Sequence, residues 1–256
     1  AGIDPEKSTL FVQSKILEHA ELFLLLSMIV PLPWLERNPT YKEQQEELST
    51  KDLTTYGFLG YPVLQAADII IYKANKVPVG KDQVPHLELT REIVRRFNYI
   101  YGNVFPEPEQ SLTGKVLGID RRKMSKSYDN ALYLSDTPEV LKKKISQMIT
   151  DPQRKRRKDP GDPDVCNVFS FHTMYSAADE ITMIDRECRT AGIGCVECKE
   201  MMATNLIHSL APYREKRDYY LSHGGEIKEI LIAGTDKARA IARQTMEEVR
   251  SAIKIA

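Results

Sequence analysis

Seven consecutive residues, Arg121-Arg122-Lys123-Met124-Ser125-Lys126-Ser127, put four cations and two hydroxyls into one stretch bounded by Gly118 and Asp129-Asn130. Such a loop suits the neutralisation of a polyphosphate. Ammonium groups stabilise the charge that develops on a leaving pyrophosphate, and hydroxyls and backbone N–H groups add hydrogen bonds. By composition alone it equally suits a solvated surface. The four cysteines are a second group, all confined between Cys166 and Cys198. Cys188, Cys195 and Cys198 are separated by six and two residues, with Gly192 and Gly194 inside the short loop and Cys166 upstream. Four thiolates suit zinc or an iron–sulfur cluster, and on spacing alone zinc leads. A basic run over 154–158, preceded by Lys142-Lys143-Lys144, reads as a solvated face that a nucleic-acid-binding protein could turn towards phosphates.

These residues need elements to position them. Leu10-Phe11-Val12 reads as a short buried strand and Val77-Pro78-Val79 as another, with Gly80 as the turn after it. Near-continuous apolar character predicts a buried helix over 17–30, closed by Pro31 and Pro33. Thr40 is placed to cap a short polar helix to residue 48. Pro62 suits the first turn of a helix reaching residue 72, with Leu64, Ala67 and Ile71 on one face. A helix over 83–97 would turn Leu87, Ile93, Val94 and Phe97 inward. Strands alternating with helices favour an open α/β sheet.

Beyond residue 135 the pattern becomes helical. Thr137-Pro138-Glu139 combines a capping hydroxyl, a first-turn proline and a first-turn acid, and helices are expected over 140–149, 177–189 and 198–210. A last helix from residue 235 would place Ala238, Ile241, Ala242, Met246, Val249 and Ile253 at helical spacing. No repeat and no strand-like pattern is found in this half.

The 256 residues are 42% hydrophobic and 28% charged, ordinary for a globular protein. Lysine plus arginine and aspartate plus glutamate both number 36, so a polyanion would be drawn only by local charge. The longest apolar run, 22–30, is broken by Ser27 and is too short to span a bilayer. No membrane association is expected, and the compartment is read as cytoplasmic. Clustered cysteines in that compartment point to metal chemistry rather than a disulfide framework.

The string Lys123-Met124-Ser125-Lys126-Ser127 matches the signature of class I aminoacyl-tRNA synthetases. Gly60-Tyr61-Pro62-Val63-Leu64-Gln65-Ala66-Ala67-Asp68 resembles the amino-acid pocket helix of tryptophanyl-tRNA synthetases. Val77-Pro78-Val79-Gly80-Lys81-Asp82-Gln83 resembles the strand and turn that follow, and Pro85-His86-Leu87-Glu88-Leu89-Thr90-Arg91 continues the match. Trp34-Leu35-Glu36-Arg37-Asn38-Pro39-Thr40-Tyr41-Lys42 is similar to the segment upstream. The likeness covers essentially the whole chain.

The resemblance implies an incomplete Rossmann-like, doubly wound parallel sheet over 1–135, followed by an all-helical tRNA-binding domain over 136–256. It implies ATP-dependent activation of L-tryptophan, with Mg2+, and transfer to tRNA(Trp) by a homodimer. Asp68 would accept the indole N–H, Val77 and Val79 would form the apolar slot, and Tyr61 and Gln83 would hold the α-amino and carboxylate groups. Gln65 stands where many relatives place methionine against the ring. Gly80, Lys81 and Asp82 would lie along ATP and Val116 near the adenine. Lys123, Met124, Ser125, Lys126 and Ser127 would grip the phosphates, with Lys123, Ser125 and Lys126 in the catalytic role. A subset of bacterial members carries a [4Fe–4S] cluster at nearly this cysteine spacing, with a similar Ile193-Gly194-Cys195-Val196-Glu197-Cys198 stretch. The resemblance therefore favours a cluster over Zn2+ on Cys166, Cys188, Cys195 and Cys198.

One feature of the family is missing from the sequence. Such enzymes open with a strand, a small-residue turn and a His/Gly-rich helix start that cradles ATP, and no such string occurs here. The expectation is that these residues alone do not form tryptophanyl-adenylate at an appreciable rate. A non-catalytic tRNA-binding or regulatory relative, and a tyrosine-specific relative, are the alternatives.

Overall fold

A computed structural model describes residues 2–38, 55–112, 114 and 116–255. The helix expected over 40–48, and residues 39–42 of the upstream string, lie outside the described residues. The chain forms two compact units, one of residues 4–114 and 225–256, the other of 115–224 with 1–3.

The first unit holds α1 (Glu18–Ser27), α2 (Leu32–Glu36), α3 (Tyr56–Ile70), β1 (Lys76–Val79), α4 (Val84–Tyr101) and β2 (Glu109–Leu112). β1 and β2 are parallel, with Lys76 opposite Glu109 and Val79 opposite Leu112. A parallel pair cannot be joined by a tight turn, and α4 is the crossover that joins this one. That β–α–β unit is the Rossmann-like part of the expected fold. Leu10-Phe11-Val12 is a correction: it is extended but pairs with no described strand, and Val12 is exposed. Its backbone is held by a helix instead. Val12 N–H donates to Thr235 Oγ1 (3.2 Å), and a Cβ on Gly234 would collide with the Leu10 carbonyl oxygen.

The second unit contains α5 (Pro138–Ser146), α6 (Asn167–Tyr175), α7 (Ala178–Arg189) and α8 (Cys195–Ser222). Thr137 Oγ1 accepts from Val140 N–H (3.4 Å), the cap expected from the sequence. The core joins Leu141, Ile145 and Met148 to Val168 and Phe171 of α6 and Met202, Leu206 and Leu210 of α8. Ile119, Met124 and Leu132, around the basic loop, pack on that core. For this reason the compact units divide at 114 rather than at 135.

The final helix α9 (Gly224–Ile253) belongs with the first unit. It buries Ala238, Ala242, Met246 and Val249 against Leu22 and Leu26 of α1, Val63, Ala66 and Ile70 of α3, and Ile93 and Phe97 of α4 within one core. Ile241, expected inward, is exposed. Among the described residues no helix is long and apolar enough to cross a membrane.

Candidate active site

Helix α3 starts six residues before Pro62, because Thr55 Oγ1 accepts from Phe58 N–H (3.3 Å) and supplies the cap. Pro62 sits inside the helix, offering no N–H to the carbonyl of Phe58. Its deeply buried face is Val63, Ala66, Ala67 and Ile70, sandwiched between α1 and α4. Tyr61, Gln65 and Asp68, with Tyr72 just past the helix end, recur at four-, three- and four-residue intervals and so share another face. All four are half-buried.

Asp68 is the most heavily bonded of these. Its side chain is 36% exposed, less sheltered than a buried acceptor would be. Gln13 Nε2 faces both carboxylate oxygens at 2.7 and 2.8 Å, and His19 Nδ1 lies 2.6 Å from Oδ1. His19, buried in α1, reaches Tyr72 Oη through Nε2 at 2.7 Å. Burial first, and then the charges of Asp68 and Glu18, push the Tyr72 phenol up to about 12.

Val77 and Val79 occupy alternate positions of β1, so both point to one face, Val79 buried and Val77 half-buried. Lys81, Asp82 and Gln83 form a 3-10 turn after Gly80, and Gln83 Nε2 donates to Asp82 Oδ2 (3.1 Å). Gly80 has an ordinary φ of −71°, so its role is space: a Cβ would lie 2.7 Å from Asp82 Oδ1. His86 ties this turn to α3. Its Nε2 is 3.0 Å from Tyr61 Oη, its Nδ1 is 3.2 Å from Asn38 Nδ2, and Asp82 acts on it electrostatically. Burial lowers the His86 pKa and outweighs the opposing pull of Asp82. Tyr61, the turn over 80–83 and His86 are thereby brought together.

The basic loop and Val116 belong to the second unit. Lys123 and Lys126 are exposed, while Met124 and Ser125 are half-buried. Asn130, 2% exposed, organises the loop: Oδ1 accepts from Ser125 N–H (2.8 Å), and Nδ2 donates to Asp120 Oδ1 (2.7 Å) and the Lys123 carbonyl (3.1 Å). Met124 N–H donates to the Val116 carbonyl (3.2 Å). Arg122 pairs with Asp120 (2.6 Å) and lies over the Tyr128 ring. Lost hydration pushes the Asp120 carboxyl up, but hydrogen bonds from Asn130 and Arg122 outweigh it and hold it below the usual carboxylate range. The Ser127 side chain lies outside the described residues.

The four cysteines come from separate elements: Cys166 precedes α6, Cys188 ends α7, and Cys195 and Cys198 open α8. All are free and half-buried. Burial, and then the charges of the other three, push the Cys198 thiol up to about 12, so the four sulfurs share one field. Arg154 Nη1 is 3.7 Å from Cys188 Sγ and His172 Nε2 is 3.5 Å from Cys198 Sγ. Among the described residues, no group of three or more His, Cys, Asp or Glu side chains is arranged to hold a metal ion.

Sequence reasoning missed Gln13, His19 and Tyr72 as site residues, and gave Asn38, which stood inside the quoted upstream string, and His86 and Asn130 no role. His86 stood inside a quoted string and Asn130 at the loop boundary, so position was visible where function was not.

A parallel β–α–β unit preceded by helix α3 with its polar face, and a helical unit that carries a structured lysine loop, are the parts of a class I synthetase. The family model described as tRNA synthetases class I (W and Y) matches residues 1–211, and the chain belongs to that family. Within it the relatives are tryptophan–tRNA ligases. The enzyme of Thermotoga maritima is 52% identical over 99% of this chain and 78% of its own length, and that of Aquifex aeolicus 42% identical over 99% and 82%. The crystal structure of tryptophanyl-tRNA synthetase from Campylobacter jejuni complexed with ADP and tryptophan aligns with a TM-score of 0.85. It is 33% identical and covers 99% of this chain and 79% of its own. On these likenesses the chain belongs with the tryptophan–tRNA ligases.

Proposed function

We propose that this protein, as a homodimer, activates L-tryptophan with Mg2+-bound ATP and esterifies it to tRNA(Trp). A carboxylate oxygen of tryptophan attacks the α-phosphorus of ATP, pyrophosphate leaves, and the terminal ribose hydroxyl of the tRNA then attacks the carbonyl and displaces AMP. Lys123, Ser125 and Lys126 stabilise the charge gathering on pyrophosphate, where fixed donors act most strongly. Gly80, Lys81 and Asp82 lie along ATP, and Val116 lies near the adenine. Val77, Val79 and Gln65 border the indole, Tyr61 and Gln83 hold the amino and carboxylate groups, and Asp68 accepts the indole N–H. The helical unit, over 115–224, receives the tRNA, with the basic run over 154–158 on its phosphates.

The carrying observation is Asp68: a carboxylate held from two sides, half-open on the third, on the same helical face as Tyr61 and Gln65. In tryptophan-dependent pyrophosphate exchange by a form that also carries the family's ATP-cradling segment, Asp68→Ala should raise KM for tryptophan about a hundredfold, since a site built around one hydrogen bond depends on it. Lys126→Ala should instead lower kcat, by about a hundredfold. Unchanged kinetics in both variants would overturn the assignment.

Among the described residues the four thiols as they stand are not gathered round an ion, and the reading of a thiolate-ligated cluster rests on their chemistry and their shared surroundings. Four sulfurs share one field, Arg154 donates towards Cys188, and backbone N–H groups of Phe169, Val168 and Asp151 act on Cys166. Gly161 leaves room at Cys188, where a Cβ would come within 2.7 Å of Sγ. Cys166, Cys188, Cys195 and Cys198 would hold a [4Fe–4S] group, which supplies a cross-link between α6, α7 and α8. Anaerobically purified protein should show broad visible absorption with about four iron and four sulfide per chain. Stoichiometric zinc without iron would reject the cluster.

A further inference from the structure

The Asp68 carboxylate has about four acceptor positions on its two oxygens. Oδ1 receives His19 Nδ1 at 2.6 Å and Gln13 Nε2 at 2.7 Å, while Oδ2 receives only Gln13 among the described residues, at 2.8 Å. Oδ1 is filled and Oδ2 keeps one position. The 36% exposure of the side chain leaves that position approachable.

The orientation of His19 follows from what its partners can do. An ionised carboxylate only accepts, so Nδ1 carries a proton and donates to Asp68. The Tyr72 phenol, pushed up to about 12, keeps its proton at neutral pH and donates to His19 Nε2. His19 is 3% exposed, and Phe11 stacks on its ring at 6.1 Å and lies tilted against Tyr72 at 5.3 Å. The imidazole therefore has neither a spare nitrogen nor room to turn. Its two bonds span α1, α3 and the Tyr72 hydroxyl.

We infer that His19, locked by Tyr72 and assisted by Gln13, is a positioning residue that aims Asp68 Oδ2 at a single N–H donor and so sets discrimination between an indole and an isostere lacking that donor. This rests on the reading of Asp68 as the indole acceptor. A network that merely tied α1 to α3 would have no reason to fill one oxygen and spare the other. Second-layer partners of this kind fix the direction of the group that meets the ligand, and their loss is felt about tenfold to a hundredfold at the site.

The test is calorimetric titration of the full-length protein with L-tryptophan and with L-3-(benzothien-3-yl)alanine, in which sulfur replaces the N–H. The ratio of the two dissociation constants is read for the parent, Asp68→Ala, His19→Phe and His19→Gln. His19→Phe should lower the ratio by about tenfold or more, chiefly through weaker tryptophan binding. His19→Gln, which retains a donor, should recover part of it, and serves where the phenylalanine variant does not fold. Should Asp68→Ala collapse the ratio while both His19 variants leave it at the parent value, the positioning role is overturned and the acceptor role of Asp68 stands. Should Asp68→Ala itself leave the ratio unchanged, the acceptor reading fails, and the inference with it.

Discussion

Asn130 spends both ends of its amide on the lysine loop, and Gly118 exists to let it in. A Cβ on Gly118 would collide with the Asn130 side chain and lie 2.7 Å from its backbone oxygen. The side chain holds Ser125 N–H, the Lys123 carbonyl and Asp120 at once, so the residues flanking Met124 share one anchor. Asn130→Ala should cost about 2–3 kcal/mol in denaturant unfolding, because buried partners lose their bonds. In pyrophosphate exchange it should also lower kcat about tenfold to a hundredfold by letting the loop wander, with little change in KM for tryptophan. Asn130→Asp should fare no better, since it replaces the donor facing Asp120 with a second carboxylate. A variant of full stability and full kcat would show that the loop is held by something else. The sequence displayed the lysines openly, as a charge cluster, but not their anchor. Asn130 acts through bonds across a turn, and no spacing rule encodes those.

At the scale of elements, what could be read was whatever is local. Thr137-Pro138-Glu139 forms the start of α5 as expected, with the threonine cap in place. The inward positions assigned to α4, Leu87, Ile93, Val94 and Phe97, are all buried. Errors arose where tertiary packing decides. Pro62, read as a first-turn residue, lies inside α3, which α1 and α4 hold on either side, and α8 runs through Pro212 past the end expected at 210. Of the stripe read for α3, Ala67 and Ile71 are buried and Leu64 is half-buried, and packing by α1 and α4 buries Val63, Ala66 and Ile70 beside them. What remains of the helix surface is the face of Tyr61, Gln65 and Asp68. Asp68 thus looks like a surface acid in a periodicity plot because the partners that hold it, Gln13 and, in α1, His19, are distant in sequence. The extended 10–12 segment failed as a strand for a related reason: its hydrogen-bond partner is Thr235, distant in sequence.

The whole molecule divides by contact rather than by order along the chain, and this was the least legible level. A boundary at 135 follows the change from mixed to helical patterning, yet the residues over 225–256 return to the first unit. Their helical spacing was visible, but not the core they would join. Ala242, Met246 and Val249 of α9 are wholly buried in the core that also contains Leu22 of α1 and Ala67 of α3. Ion pairs of Arg250 with Glu21 (2.5 Å) and Arg243 with Glu18 (3.1 Å) border the contact but, being part-exposed, contribute little. The apolar term decides. Truncating Met246 to Ala alone should cost about 2–5 kcal/mol, a large share of the roughly 5–15 kcal/mol that holds a domain folded. A chain ended after Ser222 loses all of α9, together with the Thr235 hydroxyl that holds the segment leading to Gln13 and His19. Its first unit should therefore unfold and lose tryptophan binding, although every residue of the Asp68 network is still present. The unit over 115–222 should keep protected helices, because its core of Leu141, Phe171 and Leu206 takes nothing from α9. Hydrogen exchange followed by mass spectrometry separates the outcomes: protection lost over α1, α3 and α4 and kept over α5 to α8 is expected. Retained protection in α1 and α3 of the truncated chain would mean that the first unit has a core sufficient without its last helix.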